Sequence, residues 1–139
     1  MLKGQLIHPE ILDALGRAGH GSKILVADGN YPFATAVAPR AKQVFLNLRP
    51  GLVNATDVLA ALAQVIPVEA AHVMASPDGV PPIFAEFCAI LPSGLPLQHL
   101  DRFAFYTAAR DEDVALLIAT GEERVYANIL ITIGVVKPD

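Results

Sequence analysis

The chain has 139 residues, a net charge of −4, 53% hydrophobic and 17% charged residues, and a mean hydropathy of +0.45. That length suits one domain, residues 1–139, burying about 70% of its unfolded surface. The acidic balance and the lack of a Lys/Arg cluster argue against a nucleic-acid partner, and a single cysteine, Cys88, forms no internal disulfide.

A charged share well below the usual figure of about 25% means that apolar surface enters a membrane or packs against further copies. The longest uncharged stretches, near Phe87–Leu100 and Val125–Val136, are broken by proline or too short for the roughly 20 apolar residues of a membrane span. The expectation is therefore no membrane and extensive self-association. Met1-Leu2-Lys3-Gly4 lacks the apolar core of a signal peptide, which predicts a cytoplasmic protein. Without such a signal, Asn54-Ala55-Thr56 reads as a helix cap rather than a glycosylation site.

Pro9 suits a first helical position and Ile11, Leu12 and Leu15 form an apolar stripe, so a helix is predicted over Pro9–Ala18, closed by a left-handed Gly19. Lys23–Ala27 is a short apolar run, the pattern of a strand covered on both faces, and Gly29-Asn30-Tyr31-Pro32 ends it as a turn. Lys42–Asn47 reads as a second strand with Arg49-Pro50-Gly51 as its exit. Asn54 caps a helix carrying Asp57 in its first turn and Val58, Leu59, Leu62 and Ile66 on one face, stopped by Pro67.

Val68–Ser76 is the third predicted strand. Pro81-Pro82 start a helix with Ile83, Phe84, Phe87, Ile90 and Leu91, in whose apolar stripe Cys88 lies, and Pro92–Pro96 is loop. Arg102–Tyr106 alternates, which predicts a strand with Phe103 and Phe105 in the core and Arg102, Ala104 and Tyr106 on the other face. Arg110–Asp113 is an exposed break, Val114–Ala119 a strand, and Thr120–Arg124 a turn with Glu122 and Glu123 in solvent. Tyr126–Ile133 is the last strand, with Tyr126 and Asn128 on a shared face. Alternating strands and helices predict an α/β sheet covered by helices on both faces, with ligands beyond the carboxyl ends of the strands, where Asp28 lies.

Several motifs read more simply than their patterns invite. The glycines of Gly16–Gly21 precede a strand, whereas a dinucleotide fingerprint follows one, and Gly21-Ser22-Lys23 has the wrong order for a phosphate loop. His8, His20, His72 and His99 show no paired metal-ligand spacing. His72 reads as a satisfied core histidine and His99 as a loop residue. No serine or cysteine sits in a nucleophile setting. His20, between two glycines, is either a polar loop residue or an acid–base group, and spacing alone leaves both open.

Taken together, Gly19-His20-Gly21, Asp28-Gly29-Asn30-Tyr31-Pro32, Arg102-Phe103-Ala104-Phe105-Tyr106, Thr120-Gly121-Glu122 and Tyr126-Ala127-Asn128-Ile129 resemble the D-ribose pyranase / L-fucose mutarotase family. Arg102–Tyr106 resembles the fucose branch, whereas Tyr126-Ala127-Asn128 is closer to the ribose branch. The resemblance covers nearly the whole chain, most weakly Val68–Leu100. It implies a three-layer α/β/α domain with a mostly parallel central sheet, and enzymes that interconvert cyclic forms of a free monosaccharide without cofactor or metal. L-fucose is then the first expectation and D-ribose the second. By the same likeness His20 is the acid–base residue, and Asp28, Arg102, Tyr126 and Asn128 hold the sugar. Tyr106 joins them as a contact where the ribose branch has a second polar ring. It also implies decamers built from pentameric rings, with Tyr126 and Asn128 completing a neighbour's site.

The side chains suit that chemistry. Opening a hemiacetal removes the proton of the anomeric hydroxyl and supplies one to the ring oxygen. An imidazole, which when unperturbed titrates near ~6.5, can do both at neutral pH. Asp28 and Asn128 hydrogen-bond hydroxyls, Arg102 offers a fork of donors, and Tyr126 a flat face with a polar tip. Two other classes remain: a non-catalytic sugar-binding module serving transport, in which His20 need not titrate, and a small α/β scaffold whose polar motifs are surface decoration.

Overall fold

The computed structural model describes residues Met1–Asp139. In chain order the elements are α1 (Pro9–Arg17), β1 (Lys23–Ala27), β2 (Lys42–Phe45), α2 (Ala55–Ala63), β3 (Val68–Met74), α3 (Ile83–Ile90), β4 (Leu97–Leu100), α4 (Arg102–Ala109), β5 (Val114–Ala119) and β6 (Ile129–Ile133). The six strands form one sheet in the order β2-β5-β1-β6-β3-β4. Five strands run the same way and β6 lies antiparallel between β1 and β3, in register at Val26↔Ile129 and Val73↔Ile129. The mostly parallel sheet of the sequence reading is thus present, with one reversed strand at its centre.

Alternation sends side chains of each strand to two separate cores. Ile24, Val26, Ile118 and Ile131 pack under α1, α2 and α3, whose Ile11, Leu59, Leu62 and Phe87 are fully covered. Leu25, Leu117 and Leu130 face the other way, against Phe105 and Ala109 of α4 and the irregular segment from Tyr31 to Ala41. Each such Leu, Ile or Phe contributes about 1.5–3 kcal/mol by leaving water. Helices therefore cover both faces, unequally. No helix is long and apolar enough to cross a membrane.

Five expectations are corrected. Arg102–Tyr106 is the start of α4, not a strand: Asp101 accepts from the Phe103 and Ala104 N–H groups at 3.0 and 2.9 Å, an N-cap that fixes the helical turn. Phe105 is buried but Phe103 is 73% exposed, because a helical period separates residues that alternation would pair. Leu97–Leu100 forms the edge strand β4, which puts His99 in the sheet opposite Val73. The last strand begins at Ile129, leaving Tyr126 and Asn128 on the connection before it. Finally, Gly19 is not the left-handed residue after α1. That conformation falls on Gly21, at φ 86°, where the chain turns so that the Gly21 N–H reaches the Ile133 carbonyl. Smaller differences are a shorter β2 and β3, and a Cys88 that is exposed on α3.

Candidate active site

The carboxyl ends of β1 and β5 and the entry to β6 meet at one edge of the sheet. Beyond β1, Asp28 is 2% exposed and held on every side by backbone. Its carboxylate accepts from the Asn30 N–H at 3.0 Å and the Ala127 N–H at 3.1 Å, while its own N–H donates to Asn128 Oδ1 at 2.7 Å. Burial is the largest influence on this carboxyl and raises its pKa above the ordinary 3.8 despite those donors. Asp28 thus ties the β1 exit to the β6 entry and lines a cavity there.

Tyr126 adopts φ 57°, a left-handed conformation rare for a tyrosine. Two anchors hold it there. On its carboxyl side is the Ala127–Asp28 hydrogen bond. On its amino side, Arg124 donates through Nε and Nη2 to the two oxygens of Glu122 at 2.9 Å each, and through its backbone N–H at 3.1 Å. Arg124 also pairs with Glu86 of α3.

Glu122, expected in solvent, is 2% exposed and also accepts from the Ala55 N–H at the start of α2. Burial works to raise its pKa, but the hydrogen bonds and charge of Arg124 and the Ala55 N–H outweigh it, and the pKa lies below the ordinary 4.5. The sequence treated this stretch as a plain turn because Ala55, which Glu122 holds at the start of α2, is 67 residues away.

From the opposite face, α4 supplies Arg102 and Tyr106, four residues apart and so on one helix face. The Arg102 guanidinium lies 5.7 Å from the Tyr106 ring centre and 5.5 Å from that of Phe103. Tyr31, buried beneath, donates its hydroxyl to the Ala36 carbonyl at 2.6 Å and meets Tyr106 edge-on. Burial, with Tyr106 and Asp28 nearby, drives its pKa far upward, so the phenol stays protonated. Asp28, Arg102, Tyr106, Tyr126 and Asn128 all line one cavity of about 220 Å³, which Tyr31 and Met74 also line. A polar cavity of about 380 Å³ borders it across Asn30 and holds none of those five.

His20 stands elsewhere. Its loop precedes β1, pinned by the Gly21 N–H to the Ile133 carbonyl and the Ile133 N–H to the Ser22 carbonyl, each 2.9 Å. Asp28 follows the same five-residue strand, so about 16 Å of β1 separates the two. There His20 Nε2 meets the carboxylate of Glu69 on β3 at 3.0 and 3.1 Å, a partner the sequence reading did not single out. Five of the six singled-out residues therefore converge in one chain, and Tyr126 and Asn128 stand with their own chain's Asp28. His72 is not the satisfied core histidine expected: its Nδ1 is buried without a hydrogen-bond partner, and burial, with Lys23 nearby, lowers its pKa. No three or more His, Cys, Asp or Glu side chains gather as a metal-binding group.

A cavity walled by a carboxylate, two carboxamides, a guanidinium and three phenols offers both donors and acceptors around flat apolar faces, the chemistry that holds a small polyol. Comparison with known proteins bears on the same chain. Residues 1–136 match the family described as the RbsD / FucU transport protein family. Fucose mutarotase of Danio rerio is 30% identical, over 100% of this chain and 97% of its own. D-ribose pyranase of Paracidovorax citrulli is 28% identical, over 97% and 98%. Bacillus subtilis RbsD, solved in complex with D-ribose, superposes with a TM-score of 0.83 at 28% identity, covering 99% of this chain and 100% of that one. Fucose mutarotase from Streptococcus pneumoniae, solved with L-fucose, gives 0.78 at 28%, covering 94% and 95%. With that match along almost its entire length, the chain belongs to the RbsD / FucU family.

Proposed function

We propose that the protein is a mutarotase: without a cofactor, it opens and closes the ring of a free monosaccharide, L-fucose before D-ribose, and so exchanges its anomers or ring forms. The observation that carries this is the convergence of Asp28, Arg102, Tyr106, Tyr126 and Asn128 on one small cavity. Relatives named fucose mutarotase and D-ribose pyranase support the reaction class, and the complexes with L-fucose and D-ribose support the substrate class. The Arg102–Tyr106 element is what favours fucose.

In this reading His20 takes the proton of the anomeric hydroxyl as the bond from the anomeric carbon to the ring oxygen breaks. It then gives that proton to the ring oxygen, leaving the open-chain carbonyl form, and closure on either face reverses both transfers. A sugar ring is far smaller than the separation between His20 and Asp28 along β1. The imidazole that serves a given cavity is therefore His20 of a second copy of the chain, as in a ring of subunits of the decameric kind. Exposed Val125 at the cavity, together with exposed Phe103, Val80 and Val136, supplies apolar surface for such packing.

Saturation-transfer NMR on equilibrated L-fucose, D-ribose and D-galactose tests the reading through accelerated exchange between anomeric signals. A positioned acid–base group is worth roughly 10²–10⁴-fold, and His20→Ala is expected to lose that much. Tyr126→Ala chains mixed and reassembled with His20→Ala chains regain part of the activity if the site spans two copies. The separation of His20 from the cavity within one chain favours a second reading, a sugar-binding protein without catalysis. Sugar-induced stabilisation with no exchange on any of the three sugars selects it.

A further inference from the structure

The cavity across Asn30 from the Asp28 site has no part in the reaction as read above, yet it is the larger of the two, about 380 Å³ against 220 Å³. Three strand exits wall it, with Asn30 after β1, Asn47 and Arg49 after β2, and Gly121 and Glu123 after β5. That is the crevice beyond the carboxyl ends of parallel strands, where open α/β sheets hold ligands. Its walls are fixed. The Gly51 N–H donates to the Gly121 carbonyl at 2.7 Å, and the Gly121 N–H to the Val53 carbonyl at 3.0 Å. A Cβ at position 121 would run into the carbonyl oxygens of Arg49 and Leu52, so only glycine lets the two loops meet this closely.

The chemistry of the lining selects the guest. No hydrophobic side chain lines the cavity, so it offers nothing to an apolar ligand. Asn30 and Asn47 bring carboxamides, Arg49 a guanidinium and Glu123 a carboxylate. Within the chain the Arg49 guanidinium reaches only the Pro50 carbonyl, at 3.0 Å, which leaves most of its donors free. Glu123 rests beside Gly51, its Oε2 3.2 Å from where a Cβ there would stand. Glu122, the other acid of the lining, is already bound by Arg124. A guanidinium and a carboxylate that face one cavity without closing on each other suit a neutral ligand rich in hydroxyls, each of which donates and accepts. A phosphate or carboxylate ligand would gain Arg49 but meet the like charge of Glu123.

We propose that this cavity is a second carbohydrate subsite, through which the protein acts on reducing disaccharides. The ring with the free anomeric carbon lies in the Asp28 cavity, and the unit linked to it lies among Asn30, Asn47, Arg49 and Glu123. The proposal rests on the reading of the Asp28 cavity as the place where a sugar ring opens. Asn30 lines both cavities, so the bond joining the two rings passes its carboxamide. The second unit leaves the chemistry unaltered: the proton leaves the anomeric hydroxyl of the first ring and returns to that ring's oxygen, while the glycosidic bond neither forms nor breaks.

Saturation-transfer NMR across sugar concentrations, on the full-length protein, tests it. The probes are glucosyl-L-fucoses linked through O2, O3 or O4 of the fucose unit and glucosyl-D-riboses linked through O2 or O3, each beside its free monosaccharide. At least one linkage is expected to be exchanged with a KM about 10-fold below that of its monosaccharide, the worth of one added hydrogen bond to a charged group. Asn47 and Arg49 are exposed, so Asn47→Ala and Arg49→Ala keep the fold. Each is expected to raise the ratio of disaccharide KM to monosaccharide KM by about 5- to 10-fold. Absence of exchange in every disaccharide, while the monosaccharides exchange, overturns the proposal, as does a KM ratio that neither substitution moves. Tighter binding of D-ribose 5-phosphate than of D-ribose, lost in Arg49→Ala, would make the cavity an anion site and overturn it too. Failure of the underlying reading looks different: neither L-fucose nor D-ribose is exchanged.

Discussion

Tyr126 separates what the fold wants from what a sugar site wants. At φ 57° an L-residue pays about 1–2 kcal/mol against the preceding carbonyl, whereas glycine does not but loses about 0.5–1 kcal/mol more chain entropy on folding. Tyr126→Gly is therefore expected to be more stable than Tyr126→Ala by about 1 kcal/mol, although both remove the same ring. For a chain of this size that is roughly 4 °C in Tm at fixed protomer concentration. Both variants lose the ring from the cavity wall, a contact worth about 1–2 kcal/mol, or about 5- to 30-fold in KM. Urea unfolding with an unchanged m-value measures the first effect and saturation-transfer NMR across sugar concentrations the second. An alanine variant as stable as the glycine variant would refute the strain. An unaltered KM in both would remove Tyr126 from the sugar site.

Arg124→Ala strands the Glu122 carboxylate, whose side chain is 3% exposed, with backbone donors alone. Breaking a buried pair costs about 3–5 kcal/mol, but Arg124 is 41% exposed and water screens it, so about 2 kcal/mol is expected in urea unfolding at neutral pH. Because the Glu122 pKa lies below 4.5, its contribution is complete above that value and is lost as pH falls through the lowered one. The gap between wild type and Arg124→Ala should close there, and a gap constant with pH would contradict the pairing. Asp28 has the opposite sign. Its raised pKa makes ionisation cost stability, a cost absent below 3.8 and complete above the raised value, so the carboxylate, proposed above to accept sugar hydroxyls, disappears on acidification earlier than for a free Asp. KM is expected to climb on acidification from a pH above 3.8, and Asp28→Asn to abolish that limb; a limb that persists in the variant assigns it to another group.

Much of this architecture was legible because burial writes itself into period and punctuation. The run Lys23–Ala27, the proline-started helices and the apolar Val114–Ala119 each gave their element to within a few residues. The failures have physical causes. In Arg102–Tyr106 two phenylalanines at a spacing of two fit a strand, but five residues cannot distinguish a period of 2 from 3.6, and the deciding signal was the Asp101 cap just before them. Edge strand β4 has neither alternation nor an apolar run, since its partly and fully exposed residues answer to one neighbour only. Glu122 and Glu69 escaped because Ala55 and His20, which they meet, are 67 and 49 residues away, and no local pattern records such a pairing.

The reversal of β6 explains why the singled-out residues divide as they do. Asp28 and His20 flank β1, so any strand paired beside it touches both ends of that strand. Because β6 is antiparallel, its entry carries Tyr126 and Asn128 to Asp28, and its exit carries Ile133 and Gly134 to the His20 loop and Glu69. One central strand therefore sets both the cavity-lining group and the imidazole group, at opposite rims of the sheet. A parallel strand in that place would put its exit beside Asp28 instead. The two rims are rigid with respect to each other through the buried, fully hydrogen-bonded β1–β6 pair, so closure within one chain cannot bring them together. Juxtaposing the rims of two copies requires no change in either chain. In the proposed mechanism, activity is then a property of the assembly and should fall with dilution into monomers, while the cavity at Asp28 keeps its sugar-binding groups.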